Sequence, residues 1–595
     1  MADRSQSSMV GETYRVDGIL FVFQREHPEN PSAGKLAGVP IELSKSASGY
    51  AAPRGDDSDV QTSVANIGDS AGSRLTGGAI QHIATSVLTY LNESGLAGVW
   101  VGAHPGDIDP QTGEDLRPGK SGNLRLLVQT AVIGKVRTLA RGERVPTGDS
   151  VNNPAYDWML EGSPVKPGAS WADSALLNRD KIGDYARWLS RHPGRRVDIA
   201  VSPIQDEPGA VALDYIVQEQ KPVSVWAQAT NTGTEQTADW RGSFGLQNNQ
   251  FTGNDDQIEL FYSSAGMDST QNLSARYEAP LMNNRNVRVR INGGWNKYTA
   301  SDVGFGELDF KGKGYNIGLS GVHNIRQRGS LFVDLVYGLS LENTTVDNQV
   351  VGREGEGEFL FPMIGLEWER YTRFGNTIGG VSLRHNVLDI EQDDLDALGR
   401  TLAEDKFTIL SWYFSHNFYV DRILDKEATS LAHEIAISLG GQTSFGSRTP
   451  PNYQKTIGGM YTVRGYPESV IAGDNVAHGS IEYKMHIPQL MGVSQDPGTG
   501  PIFGGPFRYL PQYPYGVTDW DLALKGFIDV GYAGAADKLD FEFDETLVGG
   551  GIGFELRYRR NFFVSVDWGV AMKDTKYPAV TDGSSRVSIS ATVMY

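Results

Sequence analysis

The sequence predicts small α+β modules at the N-terminus, followed by an all-β transmembrane barrel of about sixteen antiparallel strands. The first observation is a change of pattern near residue 221, after which no helical period lasts beyond two turns. The second is a series of period-2 segments separated by Gly, Asn and Asp turns, which is typical of an extended antiparallel sheet. The third is a final strand that ends on Tyr595 in register with its apolar face.

Composition excludes several classes of protein. The chain has 595 residues, with 53 Lys and Arg against 72 Asp and Glu, and its formal charge is −19. This sign argues against nucleic acid or an anionic membrane surface as the main partner. The absence of cysteine excludes disulfide frameworks, thiolate metal sites and cysteine nucleophiles. No apolar run approaches the roughly 18 residues that a membrane-spanning helix needs.

The first eleven residues carry no structural signal. Residues 1–11 are expected to be a disordered N-terminus or the remnant of a tag. They lack a basic region followed by an apolar one, so the chain is either cytosolic or has lost a signal peptide. The barrel pattern favours the loss, and the signal peptide is expected to be absent from this chain.

Residues 12–134 are predicted to form the first module. The stretch "YRVDGILFVF" at 14–23 is a strand candidate, and the Gly/Ser/Ala/Asp-rich insertion at 31–78 is expected to be a long surface loop. Thr76 can cap a helix, and further strands are predicted at 98–105 and 123–136. One face of that helix carries Ile80, Ile83, Ala84, Val87 and Leu91.

Residues 135–220 repeat this order of elements and are predicted to form a second module. A strand "GKVRTLA" precedes a helix "DKIGDYARWLSRH", and two strand candidates follow, "RVDIAVSPI" and "VALDYIVQEQ". Two consecutive small modules of similar order are the simplest interpretation.

Residues 221–595 are predicted to form the barrel. Val287 and Val289 alternate with Arg288 and Arg290, so one face of the strand is apolar while the other is charged. An even strand number suits a single-chain bacterial barrel. The strand candidates lie near 223–233, 238–247, 256–266, 270–281, 287–299, 309–325, 328–345, 359–373, 376–388, 407–420, 430–443, 473–487, 522–534, 547–559, 562–573 and 586–595.

The alternating pattern suits either lipid or a protein core, and a soluble sandwich shows it too. The last strand favours lipid, because Val593 and the terminal Tyr595 share its apolar face and resemble the C-terminal assembly signal of outer-membrane barrels. Aromatic side chains near strand ends could form interfacial girdles, with buried core positions as the alternative. They are Trp295, Tyr298, Trp368, Tyr371, Trp412, Tyr419, Tyr558 and Trp568.

Two motifs point to a loop that contacts the wall. "VRGY" at Val463, Arg464, Gly465 and Tyr466 lies in the long connection 444–472, and Phe527, Asp529 and Gly531 form an F-x-D-x-G motif. Both resemble motifs of the superfamily of POTRA-plus-barrel outer-membrane transporters and assembly factors. The resemblance implies that the loop folds into the barrel lumen, and strand parity independently aims Asp529 away from the apolar face. The guanidinium of Arg464 could then bind the Asp529 carboxylate bidentately.

A third sequence motif narrows the resemblance from the superfamily to one of its families. "HPGRRVDIAVSPIQDEPGAVALDYIV" at 192–217 resembles the last POTRA domain of two-partner secretion transporters, the TpsB-type haemolysin secretion/activation proteins. Two POTRA modules before a 16-stranded barrel is the arrangement of that family. The insertion at 31–78 and the long connection 488–520 depart from it, and no plug helix is apparent.

The resemblance implies transport of an unfolded exoprotein from the periplasm to the cell surface, without nucleotide hydrolysis. The implied partners are the secreted exoprotein, bound through the POTRA modules, outer-membrane lipid, and the barrel assembly machinery, but no nucleic acid; a monomer is expected. An outer-membrane protein insertase of the same superfamily is the main alternative, and a passive channel or a soluble β-rich binding protein are others. No catalytic motif, cofactor or metal site is recognisable. The glycines of "VGGGIGFE" at 548–555 are interpreted as small residues at a strand bend.

Overall fold

The computed structural model describes most of the chain, and the described part divides into two compact units. It covers residues 13–46, 49–67, 73–145, 150–234, 238–266, 270–282, 284–300, 310–348, 352–496, 498–502, 504–576 and 580–595. The units are Met1–Lys221 and Pro222–Tyr595. The expected disordered N-terminus, residues 1–11, lies outside the described residues.

The first part of the N-terminal unit contains two small sheets and helix α2. A five-stranded sheet has the order β1-β6-β4-β3-β5, and a three-stranded sheet has the order β2-β8-β7. Their bounds are β1 Thr13–Val16, β2 Gly18–Phe23, β3 Pro40–Ser46, β4 Gly49–Ala51, β5 Asp59–Ser63, β6 Ser73–Thr76, β7 Trp100–Ala103 and β8 Asn123–Gln129; the helices are α1 Ala33–Ala37 and α2 Gly77–Glu93.

Helix α2 has the predicted start and the predicted buried face. The Thr76 hydroxyl accepts a hydrogen bond from the Ala79 backbone N–H at 3.2 Å, which satisfies one of the free N–H groups of the first turn. The five predicted apolar side chains are all buried. Their 3.6-residue spacing therefore decides which side of α2 packs against the sheets.

The expectation of a surface loop at 31–78 is wrong. The described residues of this stretch form α1 and four strands, β3 to β6. Ile41 and Leu43 of β3 are buried and alternate with the more exposed Pro40 and Glu42. The strands have only three to seven residues each, so a Gly/Ser-rich composition obscured the period-2 pattern.

The second part of the N-terminal unit contains a sheet of order β10-β11-β9. Strand β11 pairs parallel to β9 and antiparallel to β10. The core of this part includes Met159, Leu213 and Tyr215. The bounds are β9 Val132–Gly142, β10 Arg195–Pro203, β11 Ala210–Glu219, α3 Asp157–Glu161 and α4 Arg179–Leu189.

The second unit is a closed antiparallel barrel, and its described residues form sixteen wall strands, which confirms the predicted fold class. Closure comes from pairing of the first wall strand with the last, from Trp226 with Met594 to Thr230 with Ser590. The strands are β12 Val223–Thr230, β13 Arg241–Asn248, β14 Gln257–Ala265, β15 Thr270–Leu281, β16 Asn284–Ala300, β17 Phe310–Arg328, β18 Leu331–Asn348, β19 Arg353–Thr372, β20 Gly375–His385, β21 Thr408–Tyr419, β22 His433–Thr443 and, after the loop strands β23 Lys455–Ile457 and β24 Ile471–Gly473, β25 Asn475–His486, β26 Trp520–Gly534, β27 Glu545–Tyr558, β28 Phe562–Ala571 and β29 Ser585–Met594.

Alternation along the wall separates an outer apolar face from a polar lumen. On β26, Ile528 is 60% exposed while the neighbouring Asp529 is 0% exposed. Short helices lie in the connections: α5 Gln392–Ala397, α6 Asp421–Leu424 and α7 Ile487–Leu490. None of the helices that the structure describes combines the length and apolar character needed to cross a membrane.

Strand register divides the eight aromatic residues that were considered for a girdle. Trp295, Trp368, Trp412, Tyr558 and Trp568 share the face of outward apolar partners, such as Val587 opposite Trp568. Tyr298, Tyr371 and Tyr419 have the opposite parity and face the lumen. The girdle interpretation therefore holds only for the first set, because proximity to a strand end does not specify a face.

Candidate functional site

The connection from β22 to β25, residues 444–474, includes the predicted loop 444–472, lies inside the barrel and is called the inserted loop. It contains a 3-10 turn at Pro451–Tyr453 and both short strands, β23 and β24, which pair only with each other. Its side chains contact wall residues that have the lumen-facing parity, including Asp529. The lumen-facing side of the barrel wall therefore binds this loop.

Arg464 of the inserted loop binds Asp529 of β26 through three hydrogen bonds. Its Nε donates to Oδ2 at 2.8 Å, its Nη2 donates to Oδ1 at 2.7 Å, and its backbone N–H donates to Oδ2 at 3.0 Å. Arg464 is only 5% exposed. The planar guanidinium matches both carboxylate oxygens, a geometry that a lysine cannot reproduce.

Further wall groups surround the same guanidinium. Nη1 donates to Glu482 of β25 and to Asp567 of β28, the latter at 3.3 Å. The ring of Phe527 lies 3.4 Å from the guanidinium carbon, a cation–π contact. Lys525 lies 2.8 Å from the second oxygen of Asp567. The arginine itself, these four residues and Asp529 form the lumen network, in which carboxylates from three strands satisfy the buried guanidinium.

The other residues of the VRGY motif are also held by the wall. Val463 is fully buried in an apolar cluster with Ile457 and Leu547. The hydroxyl of Tyr466 lies within hydrogen-bonding distance of the carbonyl oxygens of Val548 and Lys573, at 3.0 and 2.7 Å. The motif is therefore fixed at several points, of which Arg464 is the charged one.

Glycines of the wall allow the loop backbone to approach closely. A Cβ at Gly549 of β27 would lie 2.0 Å from the Arg464 carbonyl oxygen, and one at Gly569 of β28 would lie 2.6 Å from the Gly465 nitrogen. A Cβ at Gly531 of β26 would lie 2.7 Å from a methyl group of Val463. Gly549 thus has a specific role in loop contact, beyond the strand-bend role inferred from the sequence.

A second ion-pair group, the mouth network, lies where β25 begins. Arg400 of the β20–β21 connection donates to both oxygens of Asp474, at 2.7 and 2.8 Å, and to Glu542 of the β26–β27 connection at 3.2 Å. Arg448 of the inserted loop also donates to Glu542 and is 1% exposed. Three connections are therefore joined by buried charges at this end of the barrel.

An aromatic cluster joins the same region. The ring of Tyr453, in the inserted loop, lies 4.8, 5.3 and 5.1 Å from the rings of Phe359, Phe361 and Phe407. Edge-to-face packing of this kind adds to the area burial of the rings. The inserted loop is consequently anchored near its start by both an ion pair, at Arg448, and apolar contacts, at Tyr453, and further along by the ion pairs of Arg464.

We expect the mouth network to stabilise the barrel at neutral pH and to fail in acid. Burial opposes ionisation of Asp474, but hydrogen bonds from Arg400, Thr449 and Ala536 outweigh burial and lower the pKa of Asp474. Burial likewise opposes ionisation of Glu542, and Arg448 lowers its pKa. A carboxyl whose folded-state pKa is depressed contributes stability above its unfolded pKa, and this is lost as pH falls through the folded value.

The measurement is the unfolding temperature of the wild type minus that of Asp474→Asn, recorded from pH 8 to pH 3. The difference should be constant down to about pH 5 and should shrink below about pH 4. Lys538→Gln, which removes an exposed ion pair in the β26–β27 connection, is the control and should show little difference at any pH. A difference that grows in acid would contradict this assignment.

The sequence-predicted residues fall into two separate places. The structure brings together Val463, Arg464, Gly465 and Tyr466 with Phe527, Asp529 and Gly531, whereas Val593 and Tyr595 lie at the end of the barrel seam. Val593 pairs with Ala227 and Phe562, and the Tyr595 N–H donates to Val225 at 2.8 Å. An assembly role for these two residues stays a prediction.

Sequence reasoning missed Glu482, Lys525, the loop contacts of Gly549 and Gly569, and the whole mouth network. Period-2 parity places Asp567 on the polar face of its strand, but parity does not say which residues of the loop come near it. The glycine spacing at 549–553 was the available signal for a close backbone approach.

A comparison with known protein families gives one match that includes part of this site. A family model for haemolysin secretion/activation protein ShlB/FhaC/HecB matches residues 209–491. The match covers just under half of the chain, so it shows that this part of the chain is similar to the ShlB/FhaC/HecB family. The range contains the VRGY residues of the inserted loop, while Asp529 lies beyond its end. The match confirms the resemblance inferred from the motifs, and together with the closed barrel it supports the expected outer-membrane location.

One curated relative and two solved structures extend the comparison. The heme/hemopexin transporter protein HuxB of Haemophilus influenzae (strain 86-028NP) is 20% identical over 329 residues, 53% of this chain and 54% of that protein. The match thus spans about half the length of this relative. CdiB from Escherichia coli has a TM-score of 0.63 at 15% identity, covering 99% of this chain and 92% of that one.

CdiB from Acinetobacter baumannii has a TM-score of 0.58 at 14% identity, with the same shares of 99% and 92%. At these identities the likeness shows the common fold of this chain and the two CdiB structures. The expectations of no catalytic activity and no cofactor stay predictions.

Proposed function

We propose that this protein carries an unfolded exoprotein from the periplasm to the cell surface through the barrel, without nucleotide hydrolysis. The N-terminal unit would be two POTRA modules in the periplasm, and the barrel would lie in the outer membrane as a monomer. The observation that carries the proposal is the inserted loop, which occupies a polar lumen and is held there by side-chain contacts. Because β23 and β24 pair only with each other, release of the loop breaks no ladder of the wall.

The first step would be capture of the substrate at the edge of strand β10. In the sheet order β10-β11-β9, the described residues leave β10 as an edge. The Val197 N–H donates to the Ser190 hydroxyl at 2.9 Å and so points away from β11. By parity, the N–H groups of Ile199 and Val201 point the same way. An extended peptide could add to this edge by main-chain hydrogen bonds.

The test compares two substitutions at one edge position. Ile199→Pro removes an outward N–H without removing a bond of the β10–β11 ladder, and Pro is tolerated on edge strands. Ile199→Ala removes the half-exposed side chain and keeps the N–H. We expect Ile199→Pro to reduce export of a co-expressed candidate exoprotein at least tenfold and Ile199→Ala to have little effect, as measured by the amount in the medium.

The same assay distinguishes the insertase alternative. Folded barrel levels are checked by heat-modifiable gel mobility, so that a folding defect is not mistaken for a transport defect. Full export by Ile199→Pro would contradict capture at this edge. Deletion of the gene with normal export but with loss of other outer-membrane barrels would favour the insertase. The barrel assembly machinery would in turn insert this protein through its C-terminal residues, including Val593 and Tyr595.

A further inference from the structure

The connection from β25 to β26 is much longer than a barrel turn needs, and its function is unassigned. It comprises residues 487–519 and is called the long connection, of which 487–496, 498–502 and 504–519 are described. It begins with α7 and continues without further helix or strand. It lies at the barrel end where β12 begins, opposite the end where the inserted loop enters.

Part of the long connection covers the outer face of the wall. On β27, the odd-numbered Gly549 and Gly553 face the lumen, whereas the even-numbered Ile552 is exposed on the outer face. Tyr558 is also even-numbered and therefore lies on the outer face. Tyr558 is nevertheless only 8% exposed, because the ring of Phe507 stacks on it with centroids 5.2 Å apart. Phe507 itself is buried. The segment around Phe507 is therefore on the outside of the barrel.

Two polar contacts fix this segment on the outer face. Trp520 pairs with Tyr558 and shares its outward parity, and its indole N–H donates to the Tyr509 carbonyl oxygen at 2.9 Å. The Arg559 guanidinium donates to the Pro506 carbonyl oxygen at 2.9 Å. Aromatic residues at this height of a membrane barrel belong to the interfacial girdle.

The same segment presents an apolar side chain away from the wall. Thr499 and Pro506 form an isolated antiparallel bridge, and the Gly500 N–H donates to the Gly505 carbonyl oxygen at 2.9 Å. Ile502, between these two contacts, is 64% exposed. This exposed apolar side chain belongs to a segment that covers the outer face of the wall, where it is available for contact with an apolar surface.

We propose that the Thr499–Tyr509 segment is a membrane foot: Ile502 inserts into the acyl-chain boundary of the lipid leaflet that adjoins this end of the barrel. Continuity selects lipid as the occupant, because the segment lies directly on Tyr558 and Trp520, whose parity is outward, and so adjoins the lipid-facing wall. Burying apolar side chains at that depth is favourable, while the polar backbone remains near the headgroups. The inference rests on the membrane position of the barrel and not on the proposed secretion function.

The chain contains no cysteine, so one substitution supplies a single site for labelling. Ile502→Cys in the full-length protein is labelled with an environment-sensitive fluorophore and reconstituted in vesicles of phosphatidylethanolamine and phosphatidylglycerol. A fraction of the lipid carries a nitroxide at carbon 5 of its acyl chain. Ile528→Cys, on the outer face of β26, is the lipid-facing reference, and Gln81→Cys, exposed on α2, is the aqueous reference.

We expect nitroxide to quench the label at Ile502→Cys at least half as strongly as the label at Ile528→Cys, with little quenching by aqueous iodide. Quenching equal to that of Gln81→Cys would overturn the proposal. Protection from both quenchers, together with a disulfide between two copies of the Ile502→Cys protein, would show that a second copy occupies the site and would also overturn it. Heat-modifiable gel mobility confirms that each labelled barrel is folded.

Discussion

Replacing Arg464 with alanine is expected to lower the free energy of unfolding of the barrel by about 3–5 kcal/mol, the usual cost of removing one partner from a buried ion pair. The truncation leaves Asp529 and Asp567, both almost fully buried, without the guanidinium that binds them. It also removes the cation–π contact with Phe527. The measurement is urea unfolding of the barrel in detergent micelles.

Arg276→Ala is a matched control, because it removes an arginine from an exposed ion pair instead of a buried one. Arg276, on β15, also has the lumen-facing parity, but its ion pair with Glu259 is 3.5 Å long and exposed. Arg276→Ala should therefore cost less than about 1 kcal/mol. Asp529→Asn should lie between the two variants, because Arg464 keeps Glu482 and Asp567 as partners. Equal stabilities of the Arg464→Ala and Arg276→Ala proteins would refute the importance of the lumen network.

The second large effect is expected from a single methyl group on the wall. Gly549→Ala would place a Cβ about 2.0 Å from the Arg464 carbonyl oxygen, far inside any real contact. The neighbour is backbone and cannot rotate away, so the inserted loop must move. Overpacking of this kind costs about 1–3 kcal/mol, and loss of the Arg464 hydrogen bonds adds to it. We expect the loop to become accessible to protease while the wall stays folded.

Gly526→Ala is the control, because it lies on neighbouring β26 and its added Cβ would meet only the Gly551 carbonyl oxygen, at 3.9 Å. The readout is cleavage after Arg464 by trypsin, followed by mass spectrometry, since heat-modifiable mobility reports the wall separately. If Gly549→Ala and Gly526→Ala were equally resistant at Arg464, the close approach of loop and wall would not constrain the loop.

Much of the barrel and the central pair of the site were predictable from local rules. Period 2 specifies which side chains share a face, so Ile528 and Asp529 could be assigned to opposite faces without knowledge of any neighbour. The VRGY resemblance then gave Arg464 a place in the lumen. The α2 helix was equally predictable, because its capping residue and its apolar face are close together in the sequence.

The remaining contacts depend on distances between strands that sequence does not specify. Asp567 lies 103 positions from Arg464, and its proximity results from strand order and register. Arg400 and Glu542, 142 positions apart, approach through two irregular connections whose paths have no period. The strands of 31–78 were missed for a different reason: three to seven residues hold too few repeats for alternation to exceed chance.

The charges around Arg464 have a further consequence for an emptied lumen. If the inserted loop leaves as proposed, Arg464 leaves with it, while Asp529, Glu482, Asp567 and Glu555 remain on the wall beside Lys525 and Lys484. This part of the vacated lumen would then hold four carboxylates against two ammonium groups, so it would attract cations and basic chain segments and repel acidic ones. Because the same group contains three cations while the loop is in place, withdrawal of the loop increases its negative charge.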